Sequence, residues 1–448
     1  MVAPDRSVGL LAGLGSTVSA NLGLLNQTMT TVAPAFWGAD VRVYYPLGSA
    51  EAALYNATPL HYVRWPGGAV ADGLNVTTNL ITADGGNTSS PGSSLAEFAT
   101  WCKWVGCHAI VQLPGEINQP QVAAAEVAYA EHTLGFKPNY WEIGNEPAQW
   151  THFGIPWSNW NTSQSQNASP GSYAQVVQAY SKAMRVVDPA IHLIGLSGVG
   201  TGGYNEAVWI RATVALNGPN LSAVAIHVYP AGGTTANGTL TNFLNTLTGH
   251  GSLAYRAPIA RAAIAAGCPT CRGIGLFVTE FGTGTQGGPY DKWMGSSSAA
   301  PYLAAEVAQA MLAGVSNLDL FAFQSTYNGS LLNGSGVPSR TFTMYSSLFA
   351  QLQPVLLNVS VPGAPSRVYV VAGASTNWTT YSLLVVNANT THPLRLNLLG
   401  SGFPLLGSGS VTTWNYSAAA PGVTSFSLMA PWVWTVPARS MMVLQITV

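Results

Sequence analysis

Two glutamates stand where an apolar run of the sequence gives way to a polar turn. Glu146 follows the run at 140–144, and Glu280 follows the run at 276–279. Charged residues make up only 7% of the 448 residues, with 17 carboxylates in all, whereas an ordinary soluble protein has about 25% charged residues. Because a carboxylate at the end of a buried strand costs desolvation energy, two of them in such a chain indicate a function. Paired carboxylates that flank one bond are typical of glycoside hydrolysis.

Eight short apolar runs alternate with helical patterns, and this alternation predicts the elements that position the two glutamates. It is typical of an α/β protein with a (β/α)₈ TIM barrel. A doubly wound open sheet is the alternative, but it usually carries a Gly-rich phosphate loop after its first strand, and none is evident. Ala-rich helical patterns lie at 95–105, 121–133, 172–187 and 299–313. The expected strands lie near 36–44, 62–65, 108–113, 140–144, 192–196, 223–229, 276–279 and 318–324.

The texture of the sequence changes after residue 352, where short alternating segments separated by turn residues replace the helical patterns. Such segments predict an accessory antiparallel β-sandwich. A strand-like run at 7–14 could complete it, so that both chain ends share one domain. We therefore predict a catalytic barrel at 35–352 and a sandwich made of 1–34 and 353–448. The expected sandwich strands are 367–371, 381–386, 394–399, 411–416, 424–428 and 440–447.

In a TIM barrel the C-terminal ends of the strands meet at one mouth, and catalytic residues sit there. Glu146 lies just past the fourth expected strand, and Glu280 closes the seventh. Both carboxylates therefore face the same mouth despite the long sequence between them. A separation of about 5–5.5 Å between the carboxyl groups would predict a retaining double displacement in which one of them is the nucleophile.

Short motifs at these strand ends resemble those of clan A glycoside hydrolases. Trp-Glu-Ile-Gly-Asn-Glu-Pro at 141–147 is similar to the acid/base strand of the clan, and Thr-Glu-Phe-Gly at 279–282 to its nucleophile strand. The first motif most resembles the heparanase and β-glucuronidase family, family 79. Arg-Trp-Pro-Gly-Gly at 64–68 resembles the second strand of that family and of the arabinofuranosidase and xylosidase families. A β-sandwich built on the barrel is common to these families.

The resemblance implies roles for five residues. Glu146 is expected to be the general acid/base, with a partly apolar site around it, and Glu280 the nucleophile. Arg64 matches an arginine that contacts the nucleophile in the clan, and Tyr229 matches a tyrosine that donates a hydrogen bond to it. Asn145 matches the asparagine that holds the sugar 2-hydroxyl, a contact that strengthens in the transition state. The resemblance implies no metal ion and no organic cofactor.

Each of these residues also has a structural interpretation. The two catalytic glutamates could belong to a buried ion pair, Arg64 could pair within the core, and Tyr229 could be plain core. His227 is a candidate for substrate contact, although a hydrogen-bonded histidine at a strand end is the simpler interpretation. Glu142 lies four residues before Glu146, so we expect it to point into the barrel and to pair with Arg64 or a strand-end donor.

Further residues are candidates for binding a sugar. Aromatic rings pack on the apolar faces of sugars, so Trp150 is predicted to bind substrate; a loop that packs on itself is the alternative. Asp40 and Arg42, at the end of the first strand, are candidates for contacts with sugar hydroxyls. The stretch 282–288 lacks a clear counterpart of the tyrosine that helps hold the substrate carboxylate in glucuronidases, so β-linked glucose, xylose and arabinose stay open beside glucuronide. Trp150 belongs to an aromatic stretch that follows Glu146 and comprises Trp150, His152, Phe153, Trp157 and Trp160.

The four cysteines form two local pairs, Cys102 with Cys107 and Cys268 with Cys271. An even count in an extracellular chain favours two disulfides, while free buried thiols or one four-cysteine zinc site are the alternatives. The pairs precede the third and seventh strands, on opposite sides of the barrel, which disfavours a shared metal ion.

Composition limits the partners and the compartment. The net charge is −1 and the 16 Lys and Arg are scattered, which argues against a nucleic-acid partner. No apolar stretch reaches the roughly 18–20 residues that span a bilayer, and residues 1–6 lack the pattern of a signal peptide. About fourteen Asn-x-Ser/Thr sequons and a surface with little charge predict an extracellular, acid-adapted glycoprotein. Composition alone could also produce the sequons.

The leading hypothesis is a secreted retaining glycoside hydrolase that acts on an oligosaccharide, polysaccharide or glycoside. One alternative is a non-catalytic carbohydrate-binding or surface protein on the same fold, which would usually have lost one of the two carboxylates. Another is a transglycosylase, which would use the same residues with a site that disfavours water. The sequence leaves the sugar, endo or exo action and the oligomeric state open.

Overall fold

The computed structural model describes most of the barrel and the main strands of the second domain. The described residues are 18–21, 23–31, 36–76, 80–82, 88–89, 92–152, 168–199, 205–232, 239–284, 293, 299–326, 329–362, 364–398, 402–404, 407–415, 421–426 and 433–448. The strand expected at 7–14 and the aromatic residues Phe153, Trp157 and Trp160 lie outside this part of the chain.

Eight parallel strands close into a barrel in the order of the sequence, each paired with its neighbours in the chain and the eighth with the first. This confirms the predicted TIM barrel. The strands are β1 (Trp37–Asp40), β2 (Tyr62–Trp65), β3 (His108–Leu113), β4 (Tyr140–Ile143), β5 (Leu193–Ser197), β6 (Ala223–Val228), β7 (Gly275–Phe281) and β8 (Asn317–Leu320).

Two strands end several residues earlier than the sequence predicts, and the backbone beyond them makes isolated hydrogen bonds to neighbouring strand ends. β1 ends at Asp40, and the amide of Val43 then donates to the Pro66 carbonyl over 2.9 Å. β8 ends at Leu320 rather than 324, and the amide of Phe323 donates to the carbonyl of Asp40 over 2.8 Å. The apolar runs predicted the strands, and tertiary hydrogen bonds set their ends.

Helices cover the outside of the barrel, and local signals explain where several begin. Ser94 and Ser169 cap two of them by accepting from the backbone three residues on. The helix expected at 121–133 is α-helical only to Ala128 and continues as a wider π turn, Tyr129–Thr133. Within the described part of the chain the α-helices are Ser49–Asn56, Val70–Gly73, Leu95–Val105, Pro120–Ala128, Pro170–Val187, Glu206–Asn217, Leu240–Asn245, Leu253–Gly267, Ala299–Leu312 and Arg340–Ser347.

Alternation along the strands fills the barrel in layers. Tyr62, Ile110 and Phe277 pack with one another near the N-terminal end of the barrel. Tyr140 of β4 packs against this cluster. Arg64, two residues after Tyr62, and Glu142, two residues after Tyr140, occupy the next interior layer, where they form a buried ion pair. The layer near the N-terminal end of the barrel is mainly apolar, with the buried acid Asp319 beside Gly38 and Tyr62, while the layer beneath the mouth is polar and charged.

An antiparallel sheet of seven strands and a smaller sheet of three form the second domain. Gly23–Thr31 pairs with Val355–Ser360, so strands from before and after the barrel share one sheet. The small sheet joins Val18–Asn21, Leu394–Asn397 and Val433–Val436. In spatial order the large sheet is Gly422–Phe426, Ser408–Asn415, Ser440–Thr447, Thr380–Asn387, Val368–Ala374, Val355–Ser360 and Gly23–Thr31.

The second domain has its own apolar core and contacts the barrel through the helix Ala299–Leu312. Gln309 on this helix donates through Nε2 to the Tyr369 hydroxyl over 2.9 Å. The division of the chain into 35–352 and 1–34 plus 353–448 follows these elements and stays a proposal. None of the described helices combines the length and the apolar character that a membrane crossing needs.

Both predicted disulfides form, Cys102 with Cys107 and Cys268 with Cys271. Each closes a short loop next to the N-terminal end of a barrel strand, far from the mouth. The four cysteines are therefore not ligands of one shared metal ion.

Candidate active site

Arg64 lies at the centre of the polar layer beneath the mouth and is completely buried. β2 ends one residue later, and the pleat directs the Arg64 side chain into the barrel. Its five N–H donors are directed at five side chains from four other strands or strand ends, two of them on β4 or just after it. They are Glu142 Oε2 at 2.5 Å, Glu280 Oε1 at 2.8 Å, Asn145 Oδ1 at 3.0 Å, Ser197 Oγ at 3.0 Å and Asp40 Oδ1 at 3.1 Å.

This network keeps Arg64 charged. Burial alone would lower the pKa of the guanidinium, but the negative charges of Glu142, Asp40 and Glu280 raise it well above its usual value. Glu142 also accepts from the Thr279 hydroxyl over 2.8 Å, which matches the expectation that it points inward and pairs with Arg64. Glu142 thereby anchors the arginine from below.

Asp40 lies within this network and has no exposed surface. Burial raises its pKa well above the usual value, although Arg64 opposes the shift. Its Oδ1 faces Arg64, and its Oδ2 has no hydrogen-bond partner among the described residues. Asp40 therefore lies in the site as part of the hydrogen-bond network around Arg64. Its contact with a sugar hydroxyl stays a prediction.

Glu280 is held by donors on both carboxylate oxygens. Arg64 Nη1 lies 2.8 Å from Oε1, and the Tyr229 hydroxyl donates to Oε2 over 2.8 Å. Burial would raise the pKa of Glu280, but the charges of His227 and Arg64 and the hydrogen bonds from Arg64 and Tyr229 lower it below its usual value. The side chain is only 7% exposed, so Glu280 is a desolvated carboxylate kept in the ionised form.

Glu146 has a more open position, with 17% of its side chain exposed. Its backbone is left-handed, with φ of +42°, a conformation that costs a non-glycine residue about 1–3 kcal/mol unless its surroundings enforce it. The Glu146 amide donates to the Ser197 carbonyl over 2.8 Å, which ties the turn after β4 to the end of β5.

His227 lies between the two carboxylates. Its Nδ1 is 3.0 Å from Glu146 Oε1 and 3.6 Å from Glu280 Oε2, while its Nε2 has no hydrogen-bond partner among the described residues. The imidazole lies against Gly198, where a Cβ atom would come within 2.5 Å of the ring. His227 therefore lies against both glutamates, whereas the simpler interpretation was a histidine that only bonds at its strand end.

Glu146, His227 and Glu280 each present a ligand atom within 4.8 Å of the other two, a spacing that a metal ion could use. However, both oxygens of Glu280 already accept hydrogen bonds, and the guanidinium of Arg64 lies 2.8 Å from one of them. A fixed positive charge at that distance opposes a cation. The cluster therefore fits a pair of carboxylates better than a metal centre.

Asn145 reaches the site with its side chain, as the motif predicts. Its Oδ1 accepts from Arg64 over 3.0 Å and from Gln112 Nε2 over 3.4 Å. The donor capacity of the amide group therefore remains on Nδ2. This orientation suits a contact with a hydroxyl acceptor at the mouth.

Trp150 does not face the mouth, and its predicted contact with a sugar ring is wrong. It is 2% exposed, and its Nε1 donates to the Asn145 carbonyl over 2.9 Å. The ring packs against Gly144, where a Cβ atom would lie 2.6 Å from Cζ2. The glycine leaves room for the indole beneath the strand end, so Trp150 supports the site from behind.

Three residues of this site carry no motif and were not predicted from the sequence. Asp72 is 1% exposed and accepts from the backbone amides of Gly115, Glu116 and Asn145 over 2.9, 3.1 and 3.2 Å. Burial raises its pKa to about 7, although these hydrogen bonds oppose the shift. The Ser197 hydroxyl accepts a hydrogen bond from Arg64, and the Gln112 side chain donates one to Asn145.

At the rim of the site, Phe321 lies near Glu280 and Gly68. The Arg42 guanidinium stacks over the Phe321 ring at 5.2 Å and over Tyr44 at 5.1 Å. Contact between Arg42 and sugar hydroxyls stays a prediction.

Solved structures with the same fold cover nearly the whole chain. A GH51 arabinofuranosidase from Xanthomonas axonopodis pv. citri matches at 15% identity and a TM-score of 0.74, over 96% of this chain and 100% of that one. A family 51 α-L-arabinofuranosidase from Bifidobacterium longum matches at 17% identity and 0.73, over the same shares. A glycoside hydrolase family 44 xyloglucanase from Paenibacillus polymyxa matches at 12% identity and 0.72, again over 96% and 100%.

No protein-family model and no curated protein matches the chain. At identities this low, the structural likeness shows a shared fold, a TIM barrel with a β-sandwich. The closer resemblance to family 79 stays a prediction from the motifs.

Proposed function

We propose that this protein is a retaining glycoside hydrolase with Glu280 as nucleophile and Glu146 as general acid/base. The observation that carries the proposal is the pairing of two carboxylates in unlike surroundings. An oxygen of Glu146 and an oxygen of Glu280 lie within 4.8 Å of each other, close to the separation of about 5–5.5 Å that favours the retaining mechanism over the wider inverting one.

In the first step, a carboxylate oxygen of Glu280 would form a bond to the anomeric carbon while the glycosidic C–O bond breaks. Glu146 would transfer its proton to the departing oxygen. In the second step, Glu146 would take a proton from water, whose oxygen attacks the anomeric carbon and releases Glu280 as a carboxylate. The two inversions together retain the configuration.

The surroundings of each carboxylate support these roles. Arg64 and Tyr229 donate to Glu280 and so favour the anion that must attack. The greater exposure of Glu146 suits a group that exchanges a proton with a leaving group and with water. Arg64 orients the amide of Asn145, and in this proposal that amide binds the sugar 2-hydroxyl.

The substrate class follows from the motifs and the structural neighbours. The motif at 141–147 resembles the heparanase and β-glucuronidase family, so an aryl β-glucuronide is the first substrate to test. The neighbours named arabinofuranosidase and xyloglucanase add an arabinofuranoside, a β-glucoside and a β-xyloside. Cleavage of one of these between about pH 3 and 7 would support the proposal, and cleavage of none would favour an endo-acting enzyme or a carbohydrate-binding protein.

Replacing the two carboxylates separately distinguishes their roles. We expect Glu280→Ala and Glu146→Ala each to lower kcat by a factor on the order of 10²–10⁴, the usual contribution of such groups, with the thermal unfolding midpoint little changed. Azide should restore turnover in both variants. The glycosyl azide should have inverted configuration from Glu280→Ala, since one displacement occurs, and retained configuration from Glu146→Ala.

Near-normal turnover in either variant would contradict the assignment. Azide products with the opposite configurations would exchange the two roles. The unfolding midpoints serve as the control for a variant that fails to fold.

The setting of the enzyme is also a proposal. Two disulfides and a chain with little charge support an extracellular, acid-adapted protein. Treatment with an endoglycosidase followed by mass measurement would test whether the sequons carry glycans.

A further inference from the structure

Asp72 is a buried acid that the proposed reaction does not use. It lies in the short helix Val70–Gly73, which follows β2, and it accepts hydrogen bonds from three backbone amides of other segments. Oδ1 accepts from Gly115 and Glu116, after β3, and Oδ2 accepts from Asn145, after β4. One carboxylate therefore joins the ends of three consecutive strands.

The two segments that Asp72 joins are packed too closely for side chains between them. A Cβ atom at Gly115 would lie 2.8 Å from the Gly144 Cα and 2.9 Å from Trp150 Cζ2. Gly144 itself has φ of +74°, a backbone conformation that favours glycine. The turn that carries Asn145 and Glu146 is therefore fitted against its neighbour and not free to shift.

This turn needs external support, because Glu146 has a left-handed backbone. Its carbonyl groups are held from one side: Tyr173 donates to the Ile143 carbonyl over 2.8 Å, and Trp150 donates to the Asn145 carbonyl over 2.9 Å. The Glu146 amide is held by β5. Asp72 supplies the remaining acceptor, which binds the Asn145 amide over 3.2 Å.

We propose that Asp72 is a positioning residue that fixes the Asn145–Glu146 dipeptide in its catalytic conformation through the backbone amide of Asn145. The expected effect on catalysis rests on the proposed function. The structural role, in which Asp72 holds the Asn145–Glu146 backbone, does not depend on it. Loss of Asp72 releases the dipeptide, so Glu146 no longer meets the departing oxygen in line. Misplacement by about 1 Å costs on the order of 10²-fold in rate.

Two substitutions at Asp72 remove different numbers of hydrogen-bond acceptors. Asp72→Asn keeps one oxygen acceptor and turns an NH₂ group towards a backbone N–H, whereas Asp72→Ala removes both acceptors. Glu126→Ala is the matched control: Glu126 is a buried acid in the neighbouring helix Pro120–Ala128, and its oxygens have no hydrogen-bond partner among the described residues. It should disturb packing without disturbing the dipeptide.

The first readout is the dependence on the leaving group. With whichever of the four aryl glycosides is cleaved, we expect Asp72→Ala to lower kcat/KM about 10-fold to 100-fold for an unactivated phenyl glycoside, which needs the proton from Glu146. The 2,4-dinitrophenyl glycoside needs little acid assistance, and Arg64 and Gln112 still hold the Asn145 side chain, so its kcat/KM should fall less than about 3-fold. Asp72→Asn should lie between Asp72→Ala and the native protein.

The second readout needs no activity. Hydrogen–deuterium exchange of the peptide that contains Asn145 should be faster in Asp72→Ala than in the native protein, and unchanged in Glu126→Ala. Equal losses for both leaving groups would overturn the catalytic part of the inference. Unchanged exchange would overturn all of it. If the native protein cleaves no glycoside, the proposed function fails, and exchange alone decides whether Asp72 holds the dipeptide.

Discussion

Glu280 and Glu146 have the same side chain, and their neighbours give them different properties. Glu280 is buried beneath a guanidinium and a tyrosine hydroxyl, so the pKa is lowered even though burial opposes the shift. Glu146 is bound by one histidine nitrogen and is partly open. These unlike surroundings support the proposed division of labour, with Glu280 as nucleophile and Glu146 as acid.

Tyr229 offers a test of this electrostatic argument. Its hydrogen bond is one of the causes that lower the pKa of Glu280, so Tyr229→Phe should raise that pKa. Because the nucleophile must be ionised, the acid limb of the profile of kcat/KM against pH should move to higher pH. We expect kcat to fall about 10-fold to 100-fold, since a hydrogen bond to a charged group contributes about 1.5–3 kcal/mol.

Tyr55→Phe is the matched control for this prediction. It also removes a buried tyrosine hydroxyl, but that hydroxyl donates to the His61 carbonyl, before β2, over 3.1 Å. It should lower stability without moving the acid limb. An unmoved limb in Tyr229→Phe would show that Arg64 and His227 suffice to keep Glu280 ionised.

Sequence motifs predicted the residues that belong to local patterns, and they missed Asp72, Ser197 and Gln112, which belong to none. Arg64, Tyr229 and Asn145 were placed by their motifs, and the structure brings all three to the carboxylates. Asp72 was not predicted, because three amides from distant segments leave no spacing to detect. Trp150 was predicted wrongly, since an aromatic side chain has the same sequence signal above a sugar and beneath a strand end.

At the scale of elements, the strands of the barrel position the site and outer helices hold the strands. Pairing between β6 and β7 shifts register at Ile226 and His227, and β7 shifts against β8 between Val278 and Phe281. These irregularities let His227 and Glu280 face the same interior space at the strand ends. A perfectly alternating strand would have directed one of Thr279 and Glu280 away from the barrel.

An ion pair between two outer helices reaches the end of β6. Arg256, on Leu253–Gly267, contacts Glu206, on Glu206–Asn217, through Nη2 at 2.5 Å and Nε at 3.2 Å. Its Nη1 donates to the His227 carbonyl. We expect Arg256→Ala to lower kcat about 10-fold, because the histidine between the carboxylates loses its backbone anchor, and to lower the free energy of unfolding by about 1–3 kcal/mol.

Arg261→Ala separates the effect on the site from the effect on the helix. Arg261 lies on the same helix and donates to the carbonyls of Ala313 and Gly314, before β8. Its loss should lower stability with kcat unchanged. If both variants lose activity in proportion to stability, measured by chemical denaturation and steady-state kinetics, the arginine anchor has no specific role in catalysis.

The order of the elements could be predicted from the sequence, but several boundaries could not. Apolar runs bounded by Gly, Pro and Asn marked all eight barrel strands, because buried parallel strands need such runs. The strand Gly23–Thr31 was missed: its pairing with Val355–Ser360 joins segments more than 300 residues apart. Long-range pairing of this kind has no local signal.

At the scale of the whole molecule, the few carboxylates are divided unevenly between interior and surface. Six of the described acids have pKa values raised by burial, and two, Glu280 and Asp188, have lowered values. Several raised groups lack the hydrogen bonds that would stabilise their anions, among them Glu126 and Glu306. The six are Asp40, Asp72, Glu126, Glu131, Glu306 and Asp319.

Raised values make the fold most stable in acid. Below the unfolded pKa of about 4, each such group is protonated in the folded and the unfolded state, so its burial does not lower the free energy of unfolding. As pH rises towards the folded values, about 7 for Asp72 and about 8 for Asp319, only the unfolded chain loses its proton, and stability falls. Glu280 and Asp188 act in the opposite direction but are fewer. We therefore expect the free energy of unfolding to decrease between about pH 4 and pH 8.

Glu306→Gln tests this account at one group. Glu306 lies within the fully buried part of the helix Ala299–Leu312, burial raises its pKa, and Tyr345 and Tyr369 are its titratable neighbours. An amide cannot ionise, so the variant should match the native protein near pH 4 and be more stable near pH 7, by up to about 1.4 kcal/mol for each pH unit above the unfolded pKa. Thermal and denaturant unfolding at both pH values measure the difference. If Glu306→Gln lowers stability equally at pH 4 and pH 7, Glu306 is not a source of the pH dependence of stability. A native protein that is most stable at neutral pH would contradict acid adaptation.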